Sequence, residues 1–163
     1  MKVAIYPGTF DPITNGHMCI LRKGAKVFDK VVLAVAEYTG KNSILSTEER
    51  YQLCVEATKD IPGVEVQRFD GLVVDFAKKV NANVMIRGLR ALSDFEYELS
   101  QALMNKKLYD EIDTVFFIPE SKYLYLSSTM IRQVMQLGGD VHDLIPTCVE
   151  EVLRGKFEQP EER

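Results

Sequence analysis

Strand-like runs fall at residues 2–6, 30–36, 64–68, 83–87 and 113–118, and the segments between them carry apolar positions at helical spacing. The pattern predicts repeated β-α alternation. Runs such as Val31-Val32-Leu33-Ala34-Val35 and Val115-Phe116-Phe117-Ile118 lack polar alternation, as strands do when helices cover both faces of a sheet. Met18, Leu21, Ala25 and Phe28 mark a helix after the first run, and Met130, Ile131, Val134 and Met135 mark a later one that Gly138-Gly139 ends. Two helix starts read as capping boxes, Ser46 with Glu49 and Ser93 with Glu96. The expected architecture is α/β: a single domain over residues 1–157 built on a doubly wound, parallel, five-stranded sheet, with a polar tail at 158–163. In such sheets ligands bind beyond the carboxyl ends of the strands, where strand order reverses. Polar groups that directly follow strands are therefore the candidates for chemistry.

The segment Pro7-Gly8-Thr9-Phe10-Asp11-Pro12-Ile13-Thr14-Asn15-Gly16-His17 follows the first strand and leads into the first helix. Pro7, Gly8 and Pro12 are expected to break regular structure, Thr14 or Asn15 to cap the helix, and Gly16 to let backbone approach a ligand. His17 then falls in the first helical turn, where unpaired N–H groups and the helix dipole favour an anion and an imidazole adds a directed donor. A histidine hydrogen-bonded to its own loop is the plainer alternative. Thr9, Gly16 and the strand context favour a phosphate site.

After the fourth strand, Arg87-Gly88-Leu89-Arg90 sends two guanidinium groups off the sheet. They can pair with Asp94, Glu96 or Glu98, or hold a phosphate in bidentate fashion, and their place at the ligand edge favours phosphate. Ser127-Ser128-Thr129 crowds three hydroxyls at a helix start. One serves as the N-cap, and the others exceed that need and can hold the outer phosphates of a triphosphate. Lys41 sits in the loop Tyr38-Thr39-Gly40-Lys41-Asn42 after the second strand.

Size and charge narrow the classes. A chain of 163 residues, 46% apolar, can bury one sizeable core. A net charge of −4, from 20 basic and 24 acidic residues, argues against a general nucleic-acid surface, and Lys78-Lys79 and Lys106-Lys107 read as solvated faces. Cys19, Cys54 and Cys148 are odd in number and far apart, so a disulfide framework or zinc site is not expected. Neither GxGxxG nor GxxxxGK[ST] occurs, which removes the main support for a dinucleotide dehydrogenase or a Walker-type ATPase. No signal peptide or membrane-length apolar stretch is seen, so a cytoplasmic location without membrane or nucleic-acid partners is expected. His142, in a polar turn, is expected to be solvated or capping.

The Thr14-Asn15-Gly16-His17 run resembles the (T/H)xGH signature of the nucleotidyltransferase superfamily, and the longer run from Tyr6 to His17 is similar to the phosphopantetheine adenylyltransferase family. Ser127-Ser128-Thr129-Met130-Ile131-Arg132 resembles that family's Ser-Ser-[ST]-x-[IV]-[RK] motif, with Thr129 where serine is frequent. The similarity extends from Lys2 to about Phe157. The resemblance implies a Rossmann-like nucleotidyltransferase fold and transfer of AMP from ATP to 4′-phosphopantetheine, giving dephospho-coenzyme A and pyrophosphate. It implies Mg2+ held mainly through the ATP phosphates with no protein ligand set, a homohexamer, and feedback by coenzyme A.

By the same resemblance the catalytic residues are His17, Lys41 and Arg90. Thr9 and Lys41 hold the acceptor phosphate, with Leu72, Val73, Arg87, Met104 and Asn105 along the pantetheine arm, although Leu72 and Met104 could equally be core. The ATP side comprises Thr9, Phe10, His17, Gly88, Leu89, Arg90 and Glu98, together with Tyr123, Leu124, Tyr125, Leu126, Ser127, Ser128 and Thr129. Because the attacking phosphate is already an anion, no general base is required, which agrees with the lack of a triad or acid pair. Two rivals remain at this level: a nucleotidyltransferase with another phosphate acceptor, and a non-catalytic adenine-nucleotide sensor.

Overall fold

The computed structural model describes residues 1–40, 42–90 and 92–158. Strands β1 (Val3–Gly8), β2 (Lys30–Ala36), β3 (Val64–Phe69), β4 (Val84–Gly88) and β5 (Asp113–Phe117) alternate with helices α1 (Asn15–Val27), α2 (Thr47–Thr58), α3 (Val73–Lys79) and α4 (Leu92–Leu108). Helices α5 (Ser128–Gln136) and α6 (Thr147–Phe157) follow the last strand. Every strand pairing is parallel, and the sheet order is β3-β2-β1-β4-β5. The doubly wound sheet expected from the apolar runs is present, and its order reverses between β1 and β4.

Side chains alternate between two cores. Ala4, Tyr6, Val31, Leu33, Val35 and Ile86 pack with Met18 and Leu21 of α1, Leu53 and Cys54 of α2, Ile131 of α5, and Val149 and Leu153 of α6. Ile5, Val32, Ala34 and Met85 point the other way, onto Phe76 and Ala77 of α3. With both faces covered, neither set of positions has to be polar, hence the uninterrupted apolar runs. Gly24 brings α1 close to the sheet, since a Cβ there would lie 2.6 Å from Ile86 Cδ1. That contact fixes the helix whose first turn carries His17. The second layer is thinner. Helix α4 buries Glu98 but leaves Phe95, Leu99, Leu103, Met104 and Leu108 exposed, a stripe at i, i+4 spacing.

Strand β1 runs further than expected. Pro7 and Gly8, read from the sequence as breakers, pair with Ala34 and Val35 of β2. Proline is tolerated because β1 pairs with β4 only at Ala4 and Ile5, so the missing N–H removes no ladder bond there. The expected capping box at α2 is formed, with Ser46 Oγ accepting from Glu49 N and Glu49 Oε1 accepting from Ser46 N, each at 3.1 Å. The other helix start expected, at Ser93, lies inside α4, which begins at Leu92. Nothing in Leu92-Ser93-Asp94 breaks a helix, and Asp94 in the first turn complements the dipole, so the start moves upstream. Among the described residues, no helix is long and apolar enough to cross a membrane.

Candidate active site

The loop between β1 and α1 emerges where strand order reverses. Thr14 is the N-cap of α1: its Oγ1 accepts from His17 N at 3.3 Å, and its own N–H donates to His17 Nδ1 at 3.0 Å. An imidazole thus takes the place that glutamate usually holds in a capping box. Because Nδ1 accepts from a backbone N–H, the ring proton resides on Nε2. Phe10 stands edge-on to the imidazole, with ring centroids 5.0 Å apart, and edge-on to Tyr6 at 5.6 Å. Phe10 itself has φ 53°, a conformation non-glycine residues rarely adopt. The plain and the functional readings of His17 therefore coincide: one nitrogen caps the loop and the other is left as a donor.

Burial, followed by the fields of Arg90 and Arg87, pushes His17 down to about 3 from an ordinary 6.5. The ring stays neutral near pH 7. Since this pKa is depressed in the folded chain, its stabilising contribution is present above 6.5 and is lost as pH falls toward about 3. His142 behaves oppositely, because its Nδ1 lies 2.9 Å from Glu150 Oε2 and that partner raises its pKa. Its contribution is complete below 6.5 and is lost as pH rises through the raised value. The chain has only two histidines, so an NMR titration resolves both. The His17 ring resonances are expected to stay unchanged from about pH 8 to 5 while those of His142 titrate above the ordinary range. A His17 midpoint near the ordinary value would mean that Nδ1 is not held by Thr14.

The two arginines after β4 are engaged by carboxylates. Arg87 donates through Nε and Nη2 to Glu98 at 2.9 and 2.7 Å, and through Nη1 to the Pro7 carbonyl at 2.8 Å. Burial works against the Arg87 charge, but the Glu98 pair outweighs it and lifts its pKa. Both Glu98 oxygens are occupied, so that residue meets the site through Arg87. Arg90 donates from Nε to Asp94 at 3.0 Å and from Nη1 to the Leu126 carbonyl at 3.1 Å, which ties the end of β4 to the start of α5. There Ser127 is the N-cap, its Oγ accepting from Met130 N at 3.1 Å. Ser128 Oγ donates to the Pro12 carbonyl at 2.8 Å, and Thr129 Oγ1 accepts from Arg132 Nη2 at 3.3 Å.

These pieces line one cavity of about 300 Å³. It brings together Thr9, Phe10 and His17 from the first loop, Arg87, Gly88 and Arg90 from the end of β4, and Glu98 from α4. Tyr123, Leu126, Ser127, Ser128 and Thr129 close the far side. Leu89, Leu124 and Tyr125 were expected beside them but are not part of its wall. A smaller adjoining cavity contains Val73 and Asn105 and shares Arg87 and Glu98 with the first. Leu72 and Met104 line neither; both are exposed, at 55% and 57%, so the alternative that they are core does not hold either. Lys41 lies outside the described residues, while Asn42 and Ser43 beside it face the main cavity.

Three residues of this neighbourhood escaped the sequence reading. Asp11 is buried, and its two oxygens accept from Ile44 N and Leu45 N at 3.0 and 2.9 Å. Arg132 reaches back to donate to the Asp11 carbonyl at 2.5 Å. Arg50, 2% exposed, donates to carbonyls at the ends of β1 and β2. A signal for Arg50 existed, since it shares the buried stripe of α2 with Leu53, Cys54 and Thr58, where a charge is out of place. Burial pushes the Cys54 thiol up to about 12 and also raises Cys148, which disfavours the reactive thiolate at both.

The chain is similar to known proteins along nearly its whole length. A family model described as cytidylyltransferase-like matches residues 5–134. A phosphopantetheine adenylyltransferase of Moorella thermoacetica is 52% identical over 157 residues, covering 96% of this chain and 98% of its own. Relatives of the same name from Caldanaerobacter subterraneus and Dictyoglomus turgidum are 50% and 49% identical, covering 98% and 96% of this chain and 99% and 98% of their own. A crystal structure from Vibrio parahaemolyticus, provisionally assigned as a nicotinate-nucleotide adenylyltransferase, superposes with TM-score 0.72 at 20% identity over 98% of both chains. That likeness speaks to the fold.

Proposed function

The chain belongs to the phosphopantetheine adenylyltransferases, nucleotidyltransferases of coenzyme A biosynthesis within the cytidylyltransferase-like family, and we propose that its own reaction proceeds by phosphate alignment without a covalent intermediate. The phosphate of 4′-phosphopantetheine attacks the α-phosphorus of ATP, a P–O bond forms to the AMP unit, and pyrophosphate leaves with the electron pair of the broken bond. The observation that carries this reading is the imidazole of His17, fixed by Thr14 at the mouth of α1, across one cavity from the hydroxyl-bearing start of α5.

The nucleophile arrives as an anion, so the protein must align two mutually repelling phosphates and stabilise added charge on the α-phosphate. Thr9 and Lys41 hold the acceptor phosphate. His17 Nε2–H donates to the α-phosphate, and Arg90 with the Ser127–Thr129 turn takes the leaving pyrophosphate. Arg90 can exchange its Asp94 partner, a half-exposed i, i+4 pair worth little by itself, for phosphate oxygens. Mg2+ supplies charge neutralisation when it enters with ATP. The cavity carboxylates Asp11 and Glu98 are already bonded to amides and to Arg87, which supports an ion held through phosphate oxygens.

The reading extends to a cytoplasmic enzyme of one domain over residues 1–157, assembled as a homohexamer and subject to coenzyme A feedback. The uncovered apolar stripe of α4 supports self-association. Dephospho-coenzyme A formation from ATP and phosphopantetheine, measured beside other phosphate acceptors, tests the activity; pyrophosphate release with a different acceptor alone would overturn it. Lys41→Ala is expected to raise KM for phosphopantetheine about tenfold or more with ATP affinity little changed. A change confined to ATP affinity would reassign that lysine.

A further inference from the structure

Arg50 spends its guanidinium on main-chain carbonyls rather than on a carboxylate. Nη1 donates to Thr9 O at 2.8 Å and Ala36 O at 2.7 Å, while Nη2 donates to Glu37 O at 3.4 Å and Thr47 Oγ1 at 3.0 Å. Its Nε is buried without a hydrogen-bond partner. Every hydrogen bond it makes goes to a neutral oxygen; the Asp11 carboxylate favours its charge without bonding to it, and burial outweighs that and lowers its pKa. A buried cation that bonds to no carboxylate is a costly way to fill a core, so packing alone does not explain it.

The carbonyls it holds are informative. Thr9 follows the last residue of β1, Ala36 is the last residue of β2, and Glu37 follows it. From these two strand ends spring the loops that carry Thr9 and Lys41. On the other side of β1, Arg87 plays a matching part, holding Pro7 O while Glu98 neutralises it. The sheet edge thus has two guanidinium clamps, and of the two only Arg87 is hydrogen-bonded to a carboxylate.

We infer that Arg50 is a positioning residue for the acceptor-phosphate half of the site, locking the β1 and β2 strand ends and so fixing the backbone at Thr9 and at Ala36–Glu37. This rests on the proposed reaction. The α5 side of the ATP half is held by other bonds, from Arg90 to Leu126 and from Ser128 to Pro12.

Arg50→Lys keeps the charge but loses the planar fork that spans two strands. In the full-length protein it is expected to lower kcat/KM for phosphopantetheine by about 10- to 100-fold, mostly through KM, while the calorimetric Kd for ATP stays within about twofold. Amide hydrogen exchange, read without turnover, is expected to speed up at residues 9–11 and 37–45 and to stay unchanged across α5. Equal losses for both substrates, or exchange raised evenly through the chain, would overturn the assignment. Should Arg50→Lys fail to fold, Thr47→Val removes one partner of the clamp at a helix start and is expected to show the same asymmetry at a few-fold scale. Wild-type protein that binds ATP but turns over no phosphopantetheine would count against the proposed reaction, and the exchange pattern would still decide the clamp.

Discussion

His17→Ala is expected to lower kcat about 100- to 1,000-fold, some 2.7 to 4 kcal/mol of transition-state stabilisation, while the Kd for ATP changes no more than a few-fold. The ring is neutral, its proton is fixed on Nε2 by the Thr14 N–H, and Phe10 packs against it, so the donor needs no reorganisation as charge grows on the α-phosphate. The substitution also empties one arm of the capping box, which costs about 1 kcal/mol of stability. A second variant separates these effects. His17→Glu restores an acceptor for Thr14 N–H but presents a carboxylate to the triphosphate, so its melting temperature should exceed that of His17→Ala while its turnover is no higher. Single-turnover kinetics and calorimetry on both variants check this. A parallel loss of kcat and ATP affinity would assign the imidazole to ground-state binding.

The sheet was legible because its strands are buried on both faces, and the strand-like runs at 2–6, 30–36, 64–68, 83–87 and 113–118 fall within a residue or two of the observed strands. The errors lie where tertiary contacts override local pattern. Pro7 extends a strand because its neighbour β4 leaves that position unpaired, and Ser93 is passed over as a cap because no residue before it stops the helix. The site was legible in its motifs but not in its supports. Thr14 as N-cap was visible, yet the box it closes with His17 was not, since the usual pattern asks for a glutamate or glutamine. Arg87 and Arg90 could be placed at the ligand edge from sequence with Asp94, Glu96 and Glu98 as candidate partners, but which carboxylate each one takes follows from how α4 lies against β4. Arg50 and Asp11 act through backbone groups 41 and 33 or 34 positions away, and local spacing carries no record of such bonds.

Asp11→Ala is expected to destabilise the fold by about 2 to 5 kcal/mol, because a buried amide at Leu45 and a part-buried one at Ile44 lose a charged acceptor. Asp11 is 4% exposed and Leu45, whose N–H it accepts, is 1% exposed. The carboxylate also lies 3.7 Å from Arg132 Nη1 and opposes the buried charge of Arg50, so its removal leaves both cations less balanced. Asp11→Asn retains one oxygen but turns an NH2 toward the second amide, so about half of the loss should remain. Urea unfolding of the two variants measures the difference, and a loss below about 1 kcal/mol for alanine would mean that the carboxylate does not hold the 44–45 backbone. The same bonds fasten the segment after Lys41 to the loop that carries Thr9. A folded Asp11→Asn enzyme should therefore lose affinity for phosphopantetheine before it loses affinity for ATP, which steady-state kinetics with each substrate varied in turn will register.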